Sequence, residues 1–135
     1  MTLILFFEQL LNGLQFGIML FLMSAGLTLI FGVMGLINLA HGSFYMIGAF
    51  CAALIAGLTD SFWLALLASL IGAAIAGVLI EIIIIRRLYR RDHLDQVLAT
   101  FALILLLSEG VRWIFGAFPL YLNIPNILNG SIPLF

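Results

Sequence analysis

The chain has 135 residues, of which 65% are hydrophobic and only 8% are charged, whereas soluble domains contain about 45–50% apolar and about 25% charged residues. From Gln9 to Thr59 there is no Asp, Glu, Lys or Arg, and a soluble fold could not contain so long an uncharged stretch without exposing large apolar patches. The composition therefore excludes a soluble domain and predicts an all-α integral membrane protein, while the net charge of −1 offers no electrostatic footprint for nucleic acid.

Four apolar stretches are long enough to span a bilayer, since about 20 residues cross roughly 30 Å of hydrocarbon. We predict a single transmembrane domain over residues 1–135, surrounded by membrane lipid, with spans at about 10–33, 39–58, 62–85 and 96–115. Small residues recur at four-residue spacing in the first three spans, a pattern that lets helices approach closely in lipid. They are Gly13 and Gly17; Gly48, Ala52 and Ala56; and Ala68, Gly72 and Ala76.

The junction between the first two spans reads GVMGLINLAHG and contains Gly32, Gly35, Asn38, His41 and Gly42. A broken helix within a membrane is tolerated only against protein or a water-filled cavity, and such breaks are common at transport sites. On a helix, Asn38 and His41 would share one face because they are three residues apart. The alternative interpretation is a tight connection at the cytoplasmic interface, with both side chains facing lipid headgroups.

Orientation follows from the loop between the third and fourth spans, which holds four of the five basic residues of the chain. Short loops rich in Lys and Arg remain cytoplasmic, so we predict that the Arg86–Asp95 loop is cytoplasmic. Four crossings then place the N-terminus, Asp60 and the tail outside. If segment 39–58 were re-entrant, the N-terminus would be inside instead.

The fourth span contains two ionisable residues, Glu109 and Arg112, near its predicted outer end. Ionisable residues within spans are costly, but this spacing allows an ion pair on one helix face, and we predict a structural pair that anchors the helix end. The tail from Ala117 onward is predicted to be a loop because of its prolines and asparagines. These are Pro119, Asn123, Pro125, Asn126, Asn129 and Pro133.

No constellation of residues indicates catalysis. The acidic residues nearest to His41 in sequence are Glu8 and Asp60, there is no cluster of metal-ligating residues, and the GxxxxGK[ST] phosphate-binding loop is absent. We therefore predict no catalytic residues, no metal and no cofactor, and a protein that is not itself an enzyme.

Two segments carry a resemblance to a known family. The stretch from Gly26 to Phe50, GLTLIFGVMGLINLAHGSFYMIGAF, and the stretch from Arg86 to Gly116, RRLYRRDHLDQVLATFALILLLSEGVRWIFG, occur in the order and at the spacing of LivH-type permeases. The chain thus resembles the permease subunits of ABC importers for branched-chain amino acids. Relatives that move urea or short amides share both motifs, so a urea or short-amide permease is an alternative, as is a non-transporting membrane scaffold or assembly protein.

The resemblance implies a subunit of the bacterial inner membrane that forms part of the translocation path. It also implies a second permease subunit, two cytoplasmic ATPase subunits and an external, periplasmic substrate-binding protein. The glycine-broken segment, with Gly32, Gly35, Asn38, His41 and Gly42, is then expected near the path. Family members are typically about twice this long, so we expect an N-terminal half, which alone would insert in the membrane without coupling to ATP hydrolysis.

Overall fold

A computed structural model describes residues 2–127 and 130 of the chain, and four long helices account for most of them. They are α1 (Thr2–Met34), α2 (His41–Thr59), α3 (Phe62–Leu88) and α4 (His93–Phe115). Each is long and apolar enough to cross a membrane, and the described residues contain no strand. The predicted fold class, four apolar helices with a glycine-broken segment between the first two, is confirmed.

Helix ends differ from the predicted spans because backbone hydrogen bonding does not stop where apolar residues stop. α1 begins at Thr2 and α4 at His93, whereas α2 begins at His41 and leaves residues 39 and 40 in a turn. With 33 residues, α1 is about 50 Å long at 1.5 Å per residue. That length exceeds the roughly 30 Å hydrocarbon core, so α1 must tilt or extend beyond one membrane surface.

A tight turn joins α2 to α3. Asp60 adopts a left-handed conformation with φ 54°, and its N–H donates to the Ala56 carbonyl at 2.9 Å, which closes α2. The Ser61 hydroxyl then accepts a hydrogen bond of 3.5 Å from the Leu64 N–H and caps α3. Serine is a favoured residue at this capping position, so the chain reverses at this polar turn.

Helices α2 and α3 pack through the small residues predicted to permit close approach. A Cβ atom added at Gly48 would lie 3.1 Å from the Ser69 Oγ, and one at Gly72 would lie 2.5 Å from the Cys51 Sγ. Small residues drive such contacts in membranes because lipid removes the hydrophobic difference between helix and surroundings. Gly13 and Gly17 differ, since no described atom lies within 4 Å of a Cβ placed there.

The connection between α1 and α2 lies at the same end of the helices as the loop between α3 and α4. The Tyr89 hydroxyl is 3.7 Å from the Met34 Sδ, and the Ile37 N–H reaches a side chain of α4. Four alternating crossings require this arrangement. If α2 instead entered and left the membrane on the side opposite the α3–α4 loop, the α1–α2 connection would lie at the other end of the helices from that loop.

The last part of α3 widens into a π-helical turn over Glu81–Ile85. Because a π-turn holds more residues than an α-turn, it aligns residues five apart, and Arg86 Nη2 lies 3.3 Å from Glu81 Oε2. The Tyr89 hydroxyl, in the following loop, donates to Glu81 Oε1 at 3.3 Å. Burial raises the pKa of Tyr89, and the Glu81 carboxylate raises it further, so this hydroxyl remains a donor at neutral pH.

Helix α4 ends at Gly116, which adopts φ 83° while its N–H donates to the Arg112 carbonyl at 2.9 Å. No helix forms over residues 117–127, so the predicted loop character of this part of the tail is confirmed. Asn129 and Pro133, also assigned to that loop, lie outside the described residues.

Candidate functional site: the non-helical segment between α1 and α2

Residues 35–40, called the 35–40 segment below, interrupt the helical chain where the glycines predicted a break. α1 closes when the Gly35 N–H donates to the Phe31 carbonyl at 2.8 Å, and Gly35 itself has φ +64°. Glycine adopts this left-handed conformation without the steric penalty of a Cβ atom, which is why it commonly ends helices. Gly32 lies in the last turn of α1 and is exposed.

Asn38 organises the turn that starts α2. Its Oδ1 accepts the Ala40 N–H at 3.0 Å, and its carbonyl accepts the His41 N–H at 3.3 Å. Asparagine favours such turns because its side chain bonds backbone two residues further on. Since α2 begins only at His41, Asn38 precedes the helix, and the condition under which the two side chains would share a helix face is not met.

Two polar side chains of α4 hold the 35–40 segment. Gln96 Oε1 accepts the Ile37 N–H at 3.1 Å, and Thr100 Oγ1 accepts the Leu39 N–H at 3.3 Å. We call Gln96 and Thr100 the α4 polar pair; they are only 3% and 0% exposed. Sequence reasoning missed both, although two polar residues four apart in an apolar span are a signal for interhelical hydrogen bonding.

The remaining polar atoms of the α4 polar pair also have partners. Gln96 Nε2 lies 3.2 Å from the Leu88 carbonyl and 3.3 Å from the Arg91 carbonyl, and the Thr100 hydroxyl donates to the Gln96 carbonyl at 2.7 Å. Across residues 2–127 and 130, no buried side-chain nitrogen or oxygen lacks a partner. This matters because an unpaired buried polar group costs several kcal/mol in an apolar medium.

Burial is concentrated at this contact rather than between the straight helices. Leu36 and Thr100 are the largest fully buried side chains, and Asn38 is 3% exposed. Since Thr100 lies seven residues after the start of α4, the contact lies about 10 Å along that helix at 1.5 Å per residue. The 35–40 segment therefore contacts the first two turns of α4, on the loop side of that helix's midpoint.

His41 and Gly42, the last two predicted residues, face α1. A Cβ atom at Gly26 would be 2.8 Å from His41 Nε2, and one at Gly42 would be 4.0 Å from the Met23 Sδ. His41 is half-buried and Gly42 is exposed. Thus Gly35, Asn38 and His41 build one connection, whereas Gly32 and Gly42 flank it on the surface.

The predicted ion pair lies far along α4 from the 35–40 segment. Arg112 Nη1 is 3.4 Å from Glu109 Oε1, and both side chains are 67% exposed. The distance is that of an ion pair. Its contribution to anchoring the helix end stays a prediction.

The surface of the described residues has open grooves, among them two with volumes of about 400 and 380 Å³. Their lining residues include Arg87 and Arg91 at the loop end and Phe50 and Arg112 at the other end. None of the five predicted path residues lines either groove. The described residues also contain no group of three or more His, Cys, Asp or Glu that could bind a metal. The feature that the site presents is a non-helical backbone, the 35–40 segment, whose N–H groups are bonded by side chains of α4.

Comparison with known proteins gives consistent matches. The sequence profile of the branched-chain amino acid transport system permease component matches residues 9–121. The high-affinity branched-chain amino acid transport system permease protein LivH of Salmonella typhimurium is 31% identical over 135 aligned residues, which cover 93% of this chain and 43% of the relative. LivH of Escherichia coli K12 is 30% identical with the same coverage.

A shorter match supports the same family. The permease protein BraD of Pseudomonas aeruginosa, from a high-affinity branched-chain amino acid transport system, is 45% identical over 47 residues, or 35% of this chain and 15% of the relative. No solved structure matches the chain significantly. The chain spans 43% of the length of the LivH relatives. With four apolar helices and a profile match over residues 9–121, the chain belongs to the family of branched-chain amino acid transport permease components.

Proposed function

We propose that this chain forms part of a permease subunit in a binding-protein-dependent ABC importer of the bacterial inner membrane, and that it borders the path for branched-chain amino acids. The observation that carries the proposal is the 35–40 segment, a non-helical backbone held inside a membrane bundle of a permease family. Broken helices in membranes commonly form transport sites. Because the chain spans 43% of its relatives, further polypeptide completes the path.

We propose different roles for the five predicted path residues, which lie in the 35–40 segment and its flanks. Gly32, Gly35 and Gly42 are exposed and His41 is half-buried, so these four border the path. Asn38 is buried, and its side chain is already bonded to the Ala40 N–H, so it shapes the backbone instead. Residues that border a path need to bind substrate only weakly, since conduction requires sites that the substrate can leave.

The partners proposed are a second permease subunit, two cytoplasmic ATPase subunits and an external substrate-binding protein. The Arg86–Asp95 loop would face the cytoplasm, in accordance with the excess of arginine there. The connection between α1 and α2 would then be cytoplasmic as well, because it lies beside that loop. Energy for transport would come from the ATPases, and this chain would undergo conformational change without hydrolysing ATP.

The test is transport by the assembled importer, purified from its native cells through a tag on this chain and reconstituted in proteoliposomes. We expect ATP-dependent uptake of labelled leucine that excess valine inhibits and excess urea or acetamide does not. Uptake of urea or acetamide instead would favour the short-amide alternative. An assembly that moves neither class of solute would support the scaffold alternative and overturn the proposal.

A further inference from the structure

We infer that Gln96 and Thr100, the α4 polar pair, are positioning residues that hold the 35–40 segment in its transport-competent form. We infer further that Gln96 couples this segment mechanically to the Arg86–Asp95 loop. The consequence for transport rests on the proposed function, whereas the coupling itself is a property of this chain and is testable without transport.

The first step concerns the backbone donors of the 35–40 segment. Ile37 and Leu39 lie outside any helix, so their N–H groups need other partners in an apolar medium. The acceptors are side-chain oxygens of Gln96 and Thr100, at 3.1 and 3.3 Å. The conformation of the segment therefore depends on where α4 lies, and not only on its own sequence.

The second step concerns the two ends of the Gln96 carboxamide. Its oxygen faces Ile37, while its nitrogen lies within 3.3 Å of the carbonyls of Leu88 and Arg91. The Arg91 N–H also bonds the Leu88 carbonyl at 3.0 Å and closes the turn of the loop. A carboxamide is planar and rigid, so a shift of this turn must either move the 35–40 segment or break a bond to Gln96.

The third step concerns what else holds the 35–40 segment. Gly35 has a left-handed conformation with no described atom within 4 Å of a Cβ placed there, and it lies where α1 ends. No residue of α1 itself is buried. Elements joined by few contacts are those that move during conformational change, so the segment is held weakly on the α1 side. On its other side the α4 polar pair holds it, together with the burial of Leu36, Asn38 and Ala40.

The experiment that tests positioning is hydrogen exchange of individual amides in the full assembly, purified through a tag on this chain and placed in lipid nanodiscs. Thr100→Val should speed exchange of the Leu39 amide by about fivefold, the effect of losing one hydrogen bond, and Gln96→Leu should do the same at Ile37. Thr100→Ser, which keeps a hydroxyl, should leave the Leu39 amide as protected as in the wild type. The matched control is Thr28→Val, whose hydroxyl bonds only the Ser24 carbonyl of its own helix, and it should leave both amides unchanged.

Coupling is tested by Gln96→Glu at alkaline pH, where the introduced carboxylate is ionised: it keeps an acceptor for Ile37 but cannot donate to the loop carbonyls. A spin label on Arg90→Cys, in a Cys51→Ala background, should become more mobile while the Ile37 amide stays protected. An immobile label in Gln96→Glu would overturn the coupling. Unchanged amides in Thr100→Val and Gln96→Leu, or exchange raised equally in all four helices, would overturn the positioning role.

Transport measurements distinguish a failure of this inference from a failure of the proposed function. In the reconstituted importer, Thr100→Val should lower the maximal rate of leucine uptake at least threefold, with Thr100→Ser restoring it and Thr28→Val at the wild-type rate. If the wild-type importer moves no leucine, the proposed function fails, while amide exchange still decides the positioning role. If Thr100→Val transports at the wild-type rate despite faster Leu39 exchange, the transport role of the pair is overturned.

Discussion

The imidazole of His41 lies against Gly26 so closely that a Cβ atom at residue 26 would be 2.8 Å from Nε2. Real Cβ atoms do not approach other atoms this closely, so the missing side chain of Gly26 is what admits the ring between α1 and α2. A second contact nearby, 3.2 Å between the Tyr45 hydroxyl and the Met19 Sδ, continues the same face. His41 and Tyr45, four residues apart on α2, thus both contact α1.

We expect Gly26→Ala to give a lower free energy of unfolding than Gly17→Ala, because the His41 imidazole must shift. The difference should be smaller than the roughly 1–3 kcal/mol of core overpacking, since the atom that moves is the tip of a half-buried side chain. Gly17→Ala is the matched control on α1, since nothing described lies within 4 Å of its Cβ position; it should be neutral or mildly stabilising. The measurement is the free energy of unfolding in mixed detergent micelles. His41→Ala should relieve the Gly26→Ala defect, and purely additive effects in the double variant would contradict this contact.

Gly35→Ala should cost about 1–2 kcal/mol, because a Cβ atom is unfavourable in the left-handed conformation. The control Gly32→Ala lies in the last turn of α1 with open space at its Cβ, and it should gain stability because alanine favours helix. Asparagine tolerates the left-handed region better than alanine does, so Gly35→Asn should lie between Gly35→Ala and wild type. Equal unfolding free energies for Gly35→Ala and Gly32→Ala would show that residue 35 does not need its positive φ.

The break at Gly35 could be predicted from sequence because its cause is local: glycines interrupt an apolar run. The same holds for the turn at Asp60, where polar residues separate two apolar runs. What holds the break could not be predicted in the same way. Gln96 is 59 residues from Ile37, and only tertiary packing brings a side chain of α4 to that backbone. Asn38 and His41 would share a helix face only on a helix, and Asn38 precedes α2 because the hydrogen bond from the Ala40 N–H to Asn38 Oδ1 competes locally with helix formation.

The sidedness of the loop and the tail is a prediction that thiol labelling in whole cells can test. In a Cys51→Ala background, Asp92→Cys in the Arg86–Asp95 loop and Asn126→Cys in the tail are both exposed positions. A membrane-impermeant maleimide should label only Asn126→Cys, because the arginine-rich loop is expected to stay cytoplasmic. Labelling of Asp92→Cys should appear only after the membrane is permeabilised. Labelling of Asp92→Cys in intact cells would contradict the predicted topology.

The final prediction concerns water at the proposed path. Gly42 is exposed while Asn38 is 3% exposed, so in the assembled importer, again with Cys51→Ala, Gly42→Cys should react with a small charged thiol reagent at least tenfold faster than Asn38→Cys. If Gly42 borders a path that opens and closes, its rate should also change when the ATPases bind nucleotide. Val33 is the comparison: it is apolar, 82% exposed and on the helix that precedes the break. We expect it to face lipid, so Val33→Cys should react slowly in every state because lipid excludes a charged reagent. Equal, nucleotide-independent rates at Gly42→Cys and Val33→Cys would place the flank of the 35–40 segment against lipid and remove it from the path.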